Sequence, residues 1–210
     1  MPVIVAIVSP KGGAGKTTLT AGLAGAAAIC GKSCTIIDLD PQASITNWSD
    51  RRDEADDKIS VVSCQVGRMK KAIEAAAEAD LIVIDTAGRN DNSALESARI
   101  ADICLTPIRM VVSELETLSA VRDILATAGK SDAGFVVING VHTGVGDKAI
   151  ADMRKLIETD FSMPVLPCVI THRQDHPTAF NCGKTIFETS EIMGKAGAEM
   201  SEIYSFLGVE

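Results

Sequence analysis

Two lysines, a threonine and three aspartates stand where they could handle a polyphosphate and a hard cation. Lys16 and Thr17 close the run Gly12-Gly13-Ala14-Gly15-Lys16-Thr17, Thr18 follows, and Lys11 precedes it. An ammonium there can reach β- and γ-phosphates, and a threonine hydroxyl can bind Mg²⁺. Asp38 and Asp40 flank Leu39, and Asp85 closes the apolar run Leu81-Ile82-Val83-Ile84. Carboxylates beside bound phosphates can serve a Mg²⁺ shell and an attacking water. The chemistry of such a set is nucleotide hydrolysis or phosphoryl transfer.

Positioning these groups requires strands that end together. Residues 3–8 are apolar and largely β-branched, a buried strand that breaks at Ser9-Pro10. Glycines then admit close backbone approach, and an alanine-rich helix over 19–29 ends near Gly31. Free N–H groups and the positive end of the helix dipole thus face one small volume, a phosphate cradle. The loop departs from G-x-x-x-x-G-K-[ST], because Pro10 stands where the first glycine belongs. Lys11 is the oddity: a second cation is either a solvated charge or a group aimed at a phosphate, that of a neighbouring subunit included. Residues 35–39 form a second strand; a spacing of two sets Asp38 and Asp40 on one side of it, and Pro41 ends it. Residues 81–85 form a third, and Gly88 beyond it can offer its N–H to a γ-phosphate.

The remaining pattern predicts an edge strand over 59–64, a helix over 69–79, and a strand over 100–106 stopped by Pro107. A helix over 113–128 follows, opened by a capping box of Ser113 with Glu116. Then come a strand at 135–138, a helix at 148–159, a strand at 165–170 and an amphipathic helix at 191–207. Residues 46–57 read as a polar surface segment anchored by Trp48. Strand alternates with helix throughout. The expected fold is therefore α/β, a doubly wound, mostly parallel sheet with helices on both faces, in a single domain over 1–210.

Composition narrows the function. Aromatics make up 3% of the 210 residues, which argues against a protein that stacks bases, and a net charge of −8 argues against a uniformly DNA-coating surface. The six cysteines include no C-x-x-C pair; Cys104 and Cys168 lie in apolar strands and read as small core residues in a reducing compartment. No signal peptide is recognised at the start, and no apolar run is long enough to span a bilayer. The expected compartment is the cytoplasm.

The stretch KGGAGKTT resembles the deviant Walker A motif of the ParA/MinD family of dimerising P-loop ATPases, and DLDPQ resembles that family's Walker A′ signature. The resemblance implies ATP and Mg²⁺ as cofactors, with Gly12, Gly13, Ala14, Gly15, Lys16, Thr17 and Thr18 around the phosphates. Lys11 would be the signature lysine that crosses a nucleotide-sandwich homodimer. Lys11, Lys16 and Asp40 would carry catalysis, Asp40 by orienting the water, with Thr17, Asp38 and Asp85 serving the metal. The run DTAGR that begins at Asp85 also occurs in signal-recognition-type GTPases, but residues 139–142, Asn-Gly-Val-His, lack the lysine and acid of a guanine reader. The base is expected to be adenine, contacted by Asn139 and by the loop opening at Thr171. The chain resembles the small plasmid-partition type, without an operator-reading extension before the first strand. That implies non-specific DNA binding on the nucleoid through a local patch, for which Arg173, Lys184 and Lys195 are the candidates, and a ParB-like or other adaptor protein. The final helix is too acidic for a membrane anchor. The competing reading is a metabolic P-loop enzyme of the dethiobiotin or cobyrinate synthetase sort.

Overall fold

The computed structural model describes residues 1–52, 58–88, 91–189 and 194–209. The expected segment at 53–57, Arg89 after the third strand, the first turn of the last helix at 191–193 and the acidic Glu210 lie outside the described residues.

The chain opens with β1 (Val3–Ile7), α1 (Lys16–Ile29), β2 (Cys34–Asp38), α2 (Ser44–Ser49) and β3 (Ile59–Ser63). It continues through α3 (Met69–Ala75), β4 (Leu81–Asp85), α4 (Asp91–Ile100), β5 (Ile103–Ile108), α5 (Val112–Leu115) and α6 (Leu118–Ala128). The last third is β6 (Gly134–Val141), α7 (Asp147–Asp160), β7 (Val165–Thr171), α8 (Asp175–Asn181) and α9 (Lys195–Phe206). The seven strands lie in the order β3-β2-β4-β1-β5-β6-β7, and each paired neighbour is parallel. This is the expected doubly wound α/β sheet of a P-loop protein, and among the described residues every strand pairing is parallel.

Alternation along each strand feeds two cores. Val5, Ile7, Leu81 and Val83 pack with Leu19, Leu23 and Met200 on the face covered by α1 and α9. Ala6, Val8, Ile82 and Ile84 pack with Ala98, Leu118 and Val121 on the face covered by α4 and α6. With both faces covered, the strands read as continuous apolar runs, as in parallel sheets generally. Because β1 lies between β4 and β5, with neighbours reached by crossovers in both directions, its C-terminal end is the point where the chain splits and a crevice opens.

Small residues let α1 sit deep in this core. A Cβ on Gly25 would come within 2.6 Å of the Thr185 Cβ and 2.9 Å of the Phe187 ring. Gly25→Val is therefore expected to lower unfolding free energy by about 1–3 kcal/mol through overpacking. Denaturant unfolding of the two proteins measures it; equal midpoints would show that the α1 face yields.

Three expectations need correction. Pro107 does not stop its strand, for β5 runs on to Ile108 with Pro107 opposite Val137. Leu105 offers its carbonyl to Val8 N–H on the β1 side, and Pro107, two residues on, turns its nitrogen to that side where the β1 ladder has ended at Ile7–Leu105. No ladder donor is lost. The helix expected over 113–128 is two pieces, α5 and α6, with no side-chain cap at either start. The chain breaks where the Thr117 N–H and hydroxyl both return to the Glu114 carbonyl, at 3.1 and 2.6 Å. Ser113 lies inside α5 and caps nothing. Finally, β2 ends at Asp38, so strand alternation does not place Asp40; a turn does.

Candidate nucleotide site

The first strand delivers the loop, and the loop delivers the phosphate groups. Gly15 stands at the α1 start with φ 99°, a left-handed conformation that glycine tolerates best, and a Cβ there would collide with the Asn139 amide at 1.9 Å. Asn139 Nδ2 in turn donates to the Ala14 carbonyl at 2.7 Å, so the end of β6 braces the loop from beneath. Beside it lies a cleft of about 740 Å³ lined by Gly12, Gly13, Lys16, Thr17 and Thr18 on one wall. Gly15 also lines it, and Asp40, Pro41, Gln42, Ser44, Ala87 and Gly88 form the facing wall. Volume and lining suit a mononucleotide.

Lys16 is buried at the loop's centre, its Nζ donating to the Lys11 carbonyl at 3.2 Å. Burial pushes its ammonium below the usual lysine range, against the pull of Asp85, Asp40 and Glu114. Its Nζ also lies 2.9 Å from where a Cβ on Gly88 would sit, with the Gly12 backbone N at 3.2 Å. A side chain at 88 would make the Lys16 ammonium shift and press on the Gly12 backbone, so glycine suits the close approach of the two loops.

Asp85 stands at the β4 end opposite Asp38 in register, with the Thr17 hydroxyl close enough to pull its carboxyl down. Burial, then the Asp38 charge, pushes its carboxyl up to about 7. Its Oδ1 is buried without a partner. A buried carboxylate with an orphaned oxygen, beside a hydroxyl at the phosphate wall, is the donor chemistry a hard cation takes with waters. Thr17 and Asp85 therefore fit Mg²⁺.

Asp38 is engaged differently. Its Oδ1 accepts the Asp40 N–H at 3.0 Å, and its Oδ2 accepts the Thr46 N–H at 3.2 Å and hydroxyl at 2.6 Å. It shapes the turn that presents Asp40 to the cleft and ties α2 to β2. Thr86, whose hydroxyl donates to the Ile7 carbonyl at 2.7 Å, fixes the Asp85–Gly88 turn in the same way.

Lys11 does not enter its own cleft. Its Nζ donates to Ser113 Oγ at 2.7 Å and lies 3.7 Å from Glu114 Oε1. Arg109 holds the same oxygen through Nε at 3.1 Å and Nη2 at 2.9 Å. The sequence pattern assigned Ser113 only a capping role and did not point to Glu114 or Arg109. The available signal was an acid in the first turn after a strand that ends at the phosphate edge of the sheet; the Ser-x-x-Glu pattern obscured it.

The remaining candidates scatter. Asn139 and Thr171 do not line the cleft; the Thr171 N–H and hydroxyl bond Glu199 at 2.9 and 2.7 Å. Arg173 pairs with the same Glu199 at 3.0 Å. Lys184 and Lys195 are exposed, and Lys195 lies one turn before Glu199 on α9. Trp48, expected as a surface anchor, is fully buried: its indole donates to the Lys184 carbonyl at 3.1 Å and its ring stacks 6.0 Å from Phe180. Cys104 and Cys168 are buried in β5 and β7, their thiols pushed up to about 12 and about 11, chiefly by burial.

No curated protein matches the sequence. Solved structures share the fold at low identity. MinD cell division protein of Aquifex aeolicus is 19% identical over 99% of this chain and 98% of its own, with a TM-score of 0.78. McdA of Cyanothece, in a complex with ATP, is 15% identical over 100% and 97%, with a TM-score of 0.75. A plasmid partition protein of Borrelia burgdorferi B31 bound to AMPPNP is 18% identical over 99% of each chain, with a TM-score of 0.73. The model of the CobQ/CobB/MinD/ParA nucleotide binding domain matches residues 5–186, and the chain belongs to that family.

Proposed function

We propose that this chain is a Mg²⁺-dependent ATPase that works as a slow switch: ATP closes a sandwich homodimer, and the dimer holds DNA without sequence preference. Lys16 and the loop N–H groups bind the phosphates, Thr17 and Asp85 hold the cation, Asp40 orients the attacking water, and Gly88 faces the γ-phosphate. The bound cation would neutralise charge developing on the phosphates. A ParB-like or other adaptor on the cargo would stimulate hydrolysis and release the DNA, moving a plasmid, a chromosome or a protein assembly. The resemblance to a MinD, to McdA and to a plasmid partition protein supports positioning or partition as the purpose. Because γ-phosphate contacts exist in only one state, they supply the differential energy a switch needs.

The observation that carries this reading is the placement of Lys11. A cation supplied by the phosphate loop is parked on Ser113 and Glu114 outside its own cleft. Next to Ser113 in the chain, Val111 and Val112 are 45% and 72% exposed, apolar surface beside the parked lysine. A second copy of the chain explains both. A metabolic enzyme acting on a small carboxylate would want cations over the γ-phosphate, and among the described residues Lys16 is the cation lining the cleft. No helix among the described residues is long and apolar enough to cross a membrane.

Binding to non-specific duplex DNA, measured with ADP, with AMPPNP and without nucleotide, tests the reading. Binding is expected only with AMPPNP, falling steeply as salt rises. Lys11→Ala is expected to abolish both dimer and DNA binding while monomer affinity for AMPPNP stays within about threefold, since Lys16 remains. A normal AMPPNP-dependent dimer in that variant removes the trans role of Lys11. Absence of DNA binding by a confirmed wild-type dimer removes the DNA half of the proposal.

A further inference from the structure

Glu114 is a fully buried carboxylate, and the structure gives it two cations that share a single oxygen. Arg109 makes two charge-assisted hydrogen bonds to Oε1, at 3.1 and 2.9 Å, while Lys11 stands at 3.7 Å, beyond hydrogen-bond reach of it. Glu114 Oε2 is buried without a partner. Arg109 reaches Glu114 from the β5 end with its stem beside Gly140 of β6, and its side chain is 46% exposed.

Resting on the switch reading, we propose that Arg109 is the positioning residue that lets Lys11 leave: it keeps Glu114 neutralised when Lys11 crosses to the nucleotide of a second copy, and so sets how readily the ATP-bound chain dimerises. A buried carboxylate stripped of its last cation is strongly unfavourable, more so when half its acceptor capacity is already idle. Of the two cations, Lys11 has the weaker hold on Glu114 and the flexible stem, so it is the one free to move; the planar Arg109 fork stays. Without Arg109, Lys11 becomes the carboxylate's remaining ion-pair partner among the described residues. Its departure would then leave the charge without an ion pair, offset only by the more distant Lys16, and the chain would resist dimerisation.

The test is sedimentation of the full chain across a protein concentration series with Mg²⁺ and AMPPNP, for wild type, Arg109→Ala, Glu114→Gln and the double variant, each checked for folding by circular dichroism. Arg109→Ala is expected to raise the dimer dissociation constant about tenfold or more. The double variant is expected to return to within about threefold of Glu114→Gln alone, because no charge remains to be stranded. A merely structural role for Arg109 would not be rescued by removing that charge. A wild-type-like Arg109→Ala dimer overturns the proposal, and so does a double variant as weak as Arg109→Ala, which would assign Arg109 to the partner's surface directly. A wild type that stays monomeric with AMPPNP overturns the switch reading and this proposal with it.

Discussion

Replacing Asp40 by Ala is expected to lower phosphate release about a hundredfold or more while leaving the ATP-bound dimer intact. The turn that carries Asp40 is held by groups the substitution spares: the Asp40 N–H donates to Asp38 Oδ1 at 3.0 Å, and the Asp40 carbonyl accepts the Ala43 N–H at 2.8 Å. The lost bond is the one from the Gln42 N–H to Asp40 Oδ1, at 2.9 Å, worth about 1 kcal/mol. The cleft wall therefore keeps its shape and the nucleotide its phosphate contacts. What goes is the carboxylate facing Lys16 and the Gly88 turn, where an attacking water must be oriented. Single-turnover release of γ-phosphate separates chemistry from dimer assembly, and light scattering with ATP reads the trapped dimer. A variant that turns over at the wild-type rate would take Asp40 out of the reaction. One that fails to bind ATP would place the residue in binding instead.

How far such a site can be read in advance depends on where its geometry originates. The phosphate loop is legible because local chemistry dictates it: Gly15 must take a positive φ, and the apolar run before it can only be a buried strand. Asp85 is legible for the same reason, as the polar end of a run buried on both faces. What escaped is what tertiary contacts decide. Asp40 reads as a strand residue by spacing, yet a turn built on the Asp38 side chain presents it. Pro107 reads as a stop, yet it sits in β5 because its neighbour β1 has already ended. Ser113 and Glu116 match a capping box, but Ser113 answers to Lys11, a hundred residues earlier in the chain. Trp48 lies in a polar stretch and is buried in the core, with Phe180 of α8 and the turn at Lys184 packed over it. Local patterns carry phosphate chemistry well and pairings across the sheet poorly, since only the latter need the assembled edge of the sheet.

That assembled edge makes Asp85 the other position of large expected effect. Its carboxyl is raised to about 7, chiefly by burial and then by Asp38, with the Thr17 hydroxyl and Lys16 opposing. An unfolded aspartate titrates near about 3.9. Between those values the folded chain keeps a proton that the unfolded chain has released, so this group favours folding at low pH, and that contribution is lost as pH rises from about 4 through about 7. The nucleotide-free chain should accordingly be less stable at about pH 8 than at about pH 5.5 on account of Asp85, whereas cation binding, which needs the charged form, should strengthen over the same interval. Asp85→Asn keeps the shape and removes the titration. Urea unfolding should show the variant about 2–4 kcal/mol more stable than wild type near pH 8, about half that near pH 5.5, and close to wild type only near pH 4. Calorimetry with and without Mg²⁺ should show the metal-dependent part of nucleotide affinity falling about tenfold to a hundredfold, with metal-free binding little changed. A variant less stable at both pH values would mean that Asp85 is held in a structural bond; a stabilised variant with undiminished Mg²⁺ dependence would move the metal to other ligands. The same burial that raises the Asp85 proton affinity also leaves the orphaned oxygen that a cation could take, so the two measurements read one cause from opposite sides.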